Sequence, residues 1–438
     1  MTPPIDRERF IRLYRANRER SRAMFDCVTD DAWYDRPIPL RNPIIFYEGH
    51  FPAFSFNTLV RQALGGPSID RRLEDLFARG IDPAETPTDD FVWPDRRTVR
   101  DFVQAVDETV LDALANAPLQ IDGNPLLERS EAVFTILEHE LMHHETLSYL
   151  VHRLSYEKKQ RPPGYRSPES GDGASREKRS IRIPAGRATL GSARAADSFG
   201  WDNEFDLHRV DVPAFEIDAF NVTNEDFAKF IAAGGYTRRE LWSDRGWEWI
   251  RGNRIDAPPF WERVANRSYW RGMFERVPLP SAWPVWVTHA EASAYARWRG
   301  GRLPTEAEFH RAAFATANDG ERPHPWGCES PNAVLGNFGL ERTEPVAVGS
   351  RPAGASFWGV EDLVGNGWEW TSSVFGPFPG FTPMPSYPAY SADFFDGEHF
   401  VLKGASPSTP IELIRRSFRN WFRPAYPYVY ASFRCVSG

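Results

Sequence analysis

Two histidines four residues apart, His139 and His143, sit in the run EHELMHHETLSYL (138–150). On a helix turning about 100° per residue they lie about 40° apart on one face, a spacing that lets two imidazoles share one ion. Ala132, Thr135, Ile136, Thr146 and Leu150 fall on the same face. They are small or apolar and leave room for a pocket rather than a solvated surface. Glu145 points about 120° away from His139, so a third ligand is expected from another helix. Outside this helix, His50 in FYEGHFPAF is the one other histidine before residue 155, and His144 and His152 face elsewhere.

Three chemistries fit this pattern. HELMH is an H-E-x-x-H, which on a helix reads as a hydrolytic zinc site with Glu140 as general base. The following ETLSYLVHRL lacks the Gly and His of the extended protease pattern. An iron centre that uses oxygen is the second reading. A hydrogen-bonded histidine pair without metal is the third.

The elements that must hold these residues divide the chain. Before residue 155 the pattern is helical. Phe10, Ile11 and Tyr14 form one stripe, and Val99, Val103, Val106, Val110 and Leu114 another. A further helix opens near Asn42 as cap with Pro43 at its first position and a distortion at Pro52. The histidine helix runs from about Leu127 to Leu154. Four helices suggest a bundle, whose interior commonly houses metals. Residues 156–180, YEKKQRPPGYRSPESGDGASREKRS, have the composition of a linker. From 181 to 438 the chain is rich in Gly, Pro and Trp, with short alternating runs such as SIRIPAG and HRVDVPAFEIDAF. Only EDFAKFIAAGG and HAEASAYARWRG read as helices there, each ending in Gly. The expected fold class is therefore α+β with two domains, 1–155 and 181–438.

Composition narrows the function. The 438 residues carry a formal net charge of -8, against a nucleic-acid surface. No long apolar run or secretory leader is read, which favours a cytoplasmic enzyme without membrane contact. Three separated cysteines build neither a disulfide framework nor a four-cysteine zinc site.

Taken together, His139, His143 and Glu145 as H-x-x-x-H-x-E, with His50 upstream, resemble the iron site of the ergothioneine-type sulfoxide synthases. In that family a DinB-like four-helix bundle precedes an irregular α+β domain like the formylglycine-generating enzyme, of C-type-lectin-like build. The second half matches through GSARAADSFGWDNEFDLHRVDV, NVTNEDFAKFIAAGGY, WRGGRLPTEAEFHRAAF, GNGWEWTSSVFGPFPGF and RNWFRPAYPYVYASFRC. KGASPSTP has no cysteine where formylglycine generators bind copper, so that activity is not expected.

The resemblance implies Fe(II) on His50, His139 and His143, O2 as co-substrate, and oxidative joining of a chalcogen to the imidazole carbon of a histidine derivative. It implies that Asn420, Trp421 and Phe422 contact the betaine hercynine, through an amide and through rings beside its ammonium. Trp368 and Trp370 are expected to be structural. Three positions depart from the bacterial ergothioneine pattern. Phe375 and Phe378 replace two tyrosines, one of which assists the oxygen chemistry there, and Met142 replaces a substrate-binding glutamine. The catalytic acid is thereby left unassigned. LRNPIIFYEGHFPAF and LFARGIDPAETPTDDFVW are closer to ovothiol-type relatives. These changes resemble what a selenosugar donor could demand, as in the selenoneine synthase branch, which joins hercynine to that donor. The thiol alternative joins hercynine or histidine to cysteine or γ-glutamylcysteine. Arg71, Arg72 and Arg79 would then be available for an anionic dipeptide. A metal-stabilised scaffold without catalysis is the remaining alternative.

Overall fold

The computed structural model describes residues 6–78, 92–168, 177–194, 199–265, 267–318 and 320–438. The chain forms two compact units, one taking in Met1–Arg166 with Phe199 and Met384–Pro388, the other the remainder.

The first unit is built on α1 (Arg7–Phe25), α2 (Ile44–Ser55), α3 (Arg71–Phe77), α4 (Arg96–Asn116) and α5 (Glu131–Arg153). Side-chain caps set several starts: Asp6 accepts from the Arg9 N–H and Asp95 from the Thr98 N–H at 3.0 Å. Helix α2 begins one residue later than the sequence suggests. Pro43 stands in extended conformation as its N-cap, and no side chain caps it. Pro52 lies inside α2, and the chain passes into a π-helical stretch at Phe56–Ala63, as expected where a proline removes a ladder donor. Helix α5 starts at Glu131 rather than near 127, because Arg129 and Ser130 adopt positive φ and break the ladder.

The compositional linker also starts too early. Lys159 is buried and donates to the carbonyls of Val151 and His152, so it satisfies the last turn of α5 and ties residues just after it to the bundle. A larger departure is Met384–Pro388, which lies in the sequence of the second half yet packs within the helical unit.

The second unit begins with β1 (Ser180–Ile183), β2 (Gly186–Leu190), β3 (His208–Val212) and β4 (Phe215–Asp218). Then come α6 (Asn224–Ala232), α7 (Asp244–Gly252), β5 (Trp261–Val264), β6 (Arg267–Arg271), β7 (Arg276–Pro278), α8 (His289–Trp298) and α9 (Glu306–Phe314). The chain closes with β8 (Gly367–Val374), β9 (Phe400–Ala405), β10 (Asn420–Phe422), β11 (Ala431–Ser432) and β12 (Val436–Ser437). Sheets run β1-β4-β12, β10-β9-β8-β11, β2-β3 and β5-β6-β7. A helical unit is thus followed by an irregular α+β unit.

Helices α7 and α9 are additional to the two read from sequence. Both are short, and α9 opens with a capping box in which Thr305 accepts from the Glu308 N–H. A core of Ile183, Val212, Phe215, Ile217, Phe309 and Leu363 joins β1, β3 and β4 to α9. Trp370 is buried and donates from its indole to the Val287 carbonyl, while Trp368 stacks near Phe418, both inside the unit's packing. Among the described residues, no helix is long and apolar enough to cross a membrane.

Candidate metal centre

Helices α2 and α5 pack directly against each other and bring His50, His139 and His143 into one cluster. One nitrogen from each ring lies within 4.8 Å of the others. The Nε2 atoms of His50 and His143 are 3.2 Å apart, and those of His143 and His139 are 3.1 Å apart. Two metal bonds of about 2.0–2.1 Å at right angles separate their donor atoms by about 3 Å, so these spacings suit one shared ion.

Protonation follows from the surroundings. All three rings are buried. Burial pushes the His50 pKa down to about 4, and burial followed by the neighbouring imidazoles holds His139 and His143 well below the usual range. At neutral pH the rings are uncharged. His50 Nδ1 lies 2.7 Å from the Phe77 carbonyl, which can only accept, so the ring's proton sits on Nδ1 and Nε2 presents a lone pair to the cluster. Lone pairs on buried neutral imidazoles at such separations are suited to a cation.

Packing orients the other two histidines. The Nδ1 atoms of His139 and His143 have no hydrogen-bond partner among the described residues. Phe54 instead lies flat on His139, with centroids 3.5 Å apart and planes 9° apart, and Phe51 stacks on His143 at 5.2 Å.

Glu140, the glutamate of HELMH, is committed elsewhere. It is 1% exposed and accepts from Arg18 Nη1 at 2.7 Å and from the Ser21 hydroxyl at 2.6 Å. Arg18 also binds Asp107, and Ser21 lies 2.9 Å from His144 Nε2. This network locks α5 against α1 and α4, and it withdraws the carboxylate from the role of general base. Glu145 accepts from the Tyr149 hydroxyl at 2.7 Å and is outside the histidine cluster.

The other singled-out residues are placed as follows. Met142 is half-buried beside His143 on α5. In the second unit, Trp421 lies flat against Phe375, with centroids 4.2 Å and planes 6° apart, and near Tyr390 and Phe394. Asn420 Oδ1 accepts from the Trp421 N–H, and Phe422 stacks on Tyr426. Phe378 is buried between His208 and the Arg419 guanidinium, which stands 4.0 Å from its ring centre. Arg71 and Arg72 are exposed on α3, and Arg71 pairs with Asp75 on the same surface. Arg79 lies outside the described residues. The orienting carbonyl of Phe77, the Arg18–Glu140 pair and the Tyr387 ring were not singled out from sequence. Phe54 carried a local signal, standing one turn after His50.

Comparison with known proteins sharpens this picture. Residues 13–147 match the DinB superfamily, and residues 167–438 match the Sulfatase-modifying factor enzyme 1-like domain. A hercynine oxygenase of Mycolicibacterium thermoresistibile is 38% identical over 354 residues, covering 76% of this chain and 73% of that protein. The chain belongs to this family, that of the ergothioneine-type sulfoxide synthases. It is thus an oxidoreductase of the sulfoxide-synthase type. A hercynine oxygenase of Mycobacterium tuberculosis is 43% identical over 56% of this chain and 57% of its own length. Ergothioneine biosynthesis protein 1 of Neurospora crassa is 30% identical over 94% of this chain, which spans 56% of that protein.

Proposed function

We propose that this protein is an Fe(II)- and O2-dependent enzyme that joins hercynine to a selenosugar through a new C–Se bond. The buried cluster of His50, His139 and His143 carries the reading, because three neutral imidazoles leave a divalent ion its charge and its open positions. Iron held there supplies positions at which oxygen and a soft chalcogen donor meet the imidazole of the substrate.

The chain's own residues do the rest. The Phe77 carbonyl fixes the His50 ring, and the Phe54 and Phe51 stacks fix His139 and His143. Phe51 and Phe54 also shield the cluster from bulk water. Asn420, Trp421 and Phe422 are proposed to contact hercynine, with the Phe375 stack holding the Trp421 ring in place. The selenium assignment rests on Met142, Phe375 and Phe378, where the family's thiol-using bacterial members carry hydrogen-bonding side chains.

A second reading keeps the site and uses a thiol donor, cysteine or γ-glutamylcysteine. It is favoured by the names of the relatives, hercynine oxygenase and ergothioneine biosynthesis protein. Parallel assays of the Fe(II)-loaded protein with hercynine and either donor separate the two. The proposal expects oxygen uptake and a C–Se product with the selenosugar. A C–S product with the thiol and none with the selenosugar would replace it.

A further inference from the structure

Met384–Pro388 comes from far along the chain and packs in the helical unit. Its anchor is specific. Ser386 donates to Glu131 Oε1 from its backbone N–H at 3.1 Å and from its hydroxyl at 2.8 Å, and its hydroxyl also lies 2.8 Å from Thr135 Oγ1. Thr135 stands one turn before His139 on the same face of α5. The segment is therefore a strap tied to the helix face that presents two of the clustered histidines.

The next residue on the strap is Tyr387. Its ring lies 6.1 Å from the His139 ring at 66°, and 5.3 Å from Phe54, the ring lying flat on His139. The three histidines are buried, whereas Phe54 and Tyr387 are partly exposed. Of these two flanking rings, only Tyr387 carries a hydrogen-bond donor.

We propose that Tyr387 is a ligand-contacting residue of the metal centre, donating a hydrogen bond from its phenol to an anionic group held at the histidine cluster beside His139. Ser386 is a positioning residue that holds the phenol there. This rests on the metal reading above and adds a residue that comes from the second half of the sequence.

The test uses the full chain loaded with Co(II), whose visible spectrum reports both metal uptake and anion binding, with azide as the probe. Tyr387→Phe is expected to leave Co(II) affinity within about twofold and to weaken azide about tenfold, as befits loss of one hydrogen bond to a charged partner. Ser386→Ala, which keeps the phenol and frees the strap, is expected to weaken azide severalfold. Azide affinity within twofold of wild type in Tyr387→Phe overturns the inference, as does unchanged affinity in Ser386→Ala should Tyr387→Phe fail to fold. If the wild-type chain takes up no Co(II), the metal reading itself fails. If it takes up Co(II) and the variants bind azide normally, only the role of Tyr387 fails.

Discussion

His50 Nδ1 meets the Phe77 carbonyl at 2.7 Å, so the last residue of α3 decides which nitrogen of His50 faces the cluster. Gly49 makes that contact possible. A Cβ at position 49 would stand 2.5 Å from atoms of the Phe77 ring, which is fully buried and has little room to retreat. Gly49→Ala therefore displaces Phe77 and tilts His50. Metal affinity is expected to fall by about 10- to 100-fold, the usual range for a lost orienting partner, measured by competitive Co(II) titration. Unchanged affinity would show that His50 is held by other means.

Glu140 belongs to the packing of α5 rather than to the chemistry. Substituting Gln leaves Arg18 with only part of its buried counter-charge, since Asp107 still pairs with it at 2.9 Å. Glu140→Gln is expected to lower stability by about 2–3 kcal/mol while one metal per chain is retained. Denaturant unfolding and metal analysis check this together. A variant of native stability that loses a peptide-cleaving activity would restore the hydrolytic reading of HELMH.

The buried imidazoles also set a pH dependence. His50 is held at about 4 and His289 at about 3 by burial, and His139, His143, His144 and His310 are pushed well down, again mainly by burial. In the unfolded chain each takes up a proton near pH 6.5. Between about pH 6.5 and 4 the unfolded state binds more protons, so stability is complete above this window and is lost as pH falls through it. Burial raises Glu291 to about 7 and Asp362 to about 6, which acts in the opposite sense but involves fewer groups. Metal-free protein is expected to lose at least ~1.4 kcal/mol per pH unit, the value for one net proton, in urea unfolding between pH 6.5 and 5. A flat profile would mean the imidazoles are solvated.

Phe54 is a further support of the cluster that a single substitution can remove. Phe54→Leu keeps an apolar side chain but abolishes the flat stack on His139. Its expected signature is a broadened or shifted visible spectrum of the Co(II) form with metal stoichiometry unchanged. An identical spectrum would show that His139 is oriented by its helix alone.

Much of this arrangement is legible in the sequence because it is local. The i, i+4 spacing of His139 and His143 places both on one face, and the apolar stripes along α1 and α4 mark the helices around them. Helix α9 was within reach, since Thr305 and Glu308 form a capping box, but Ala315 and Thr316 follow it where a Gly closes α6 and α8. What escapes a sequence reading is long-range. No local pattern links Arg18 to Glu140, Phe77 to His50, or Met384–Pro388 to α5, because each is fixed only when distant elements pack.

Anaerobic titration of the metal-free chain with Fe(II), followed by X-ray absorption at the iron edge, tests the central claim most directly. One iron per chain with a shell containing imidazole nitrogens, and loss of that shell in His50→Ala and in His139→Ala, is the predicted result. Iron that fails to bind stoichiometrically, or a shell unchanged when His50 is removed, would contradict it.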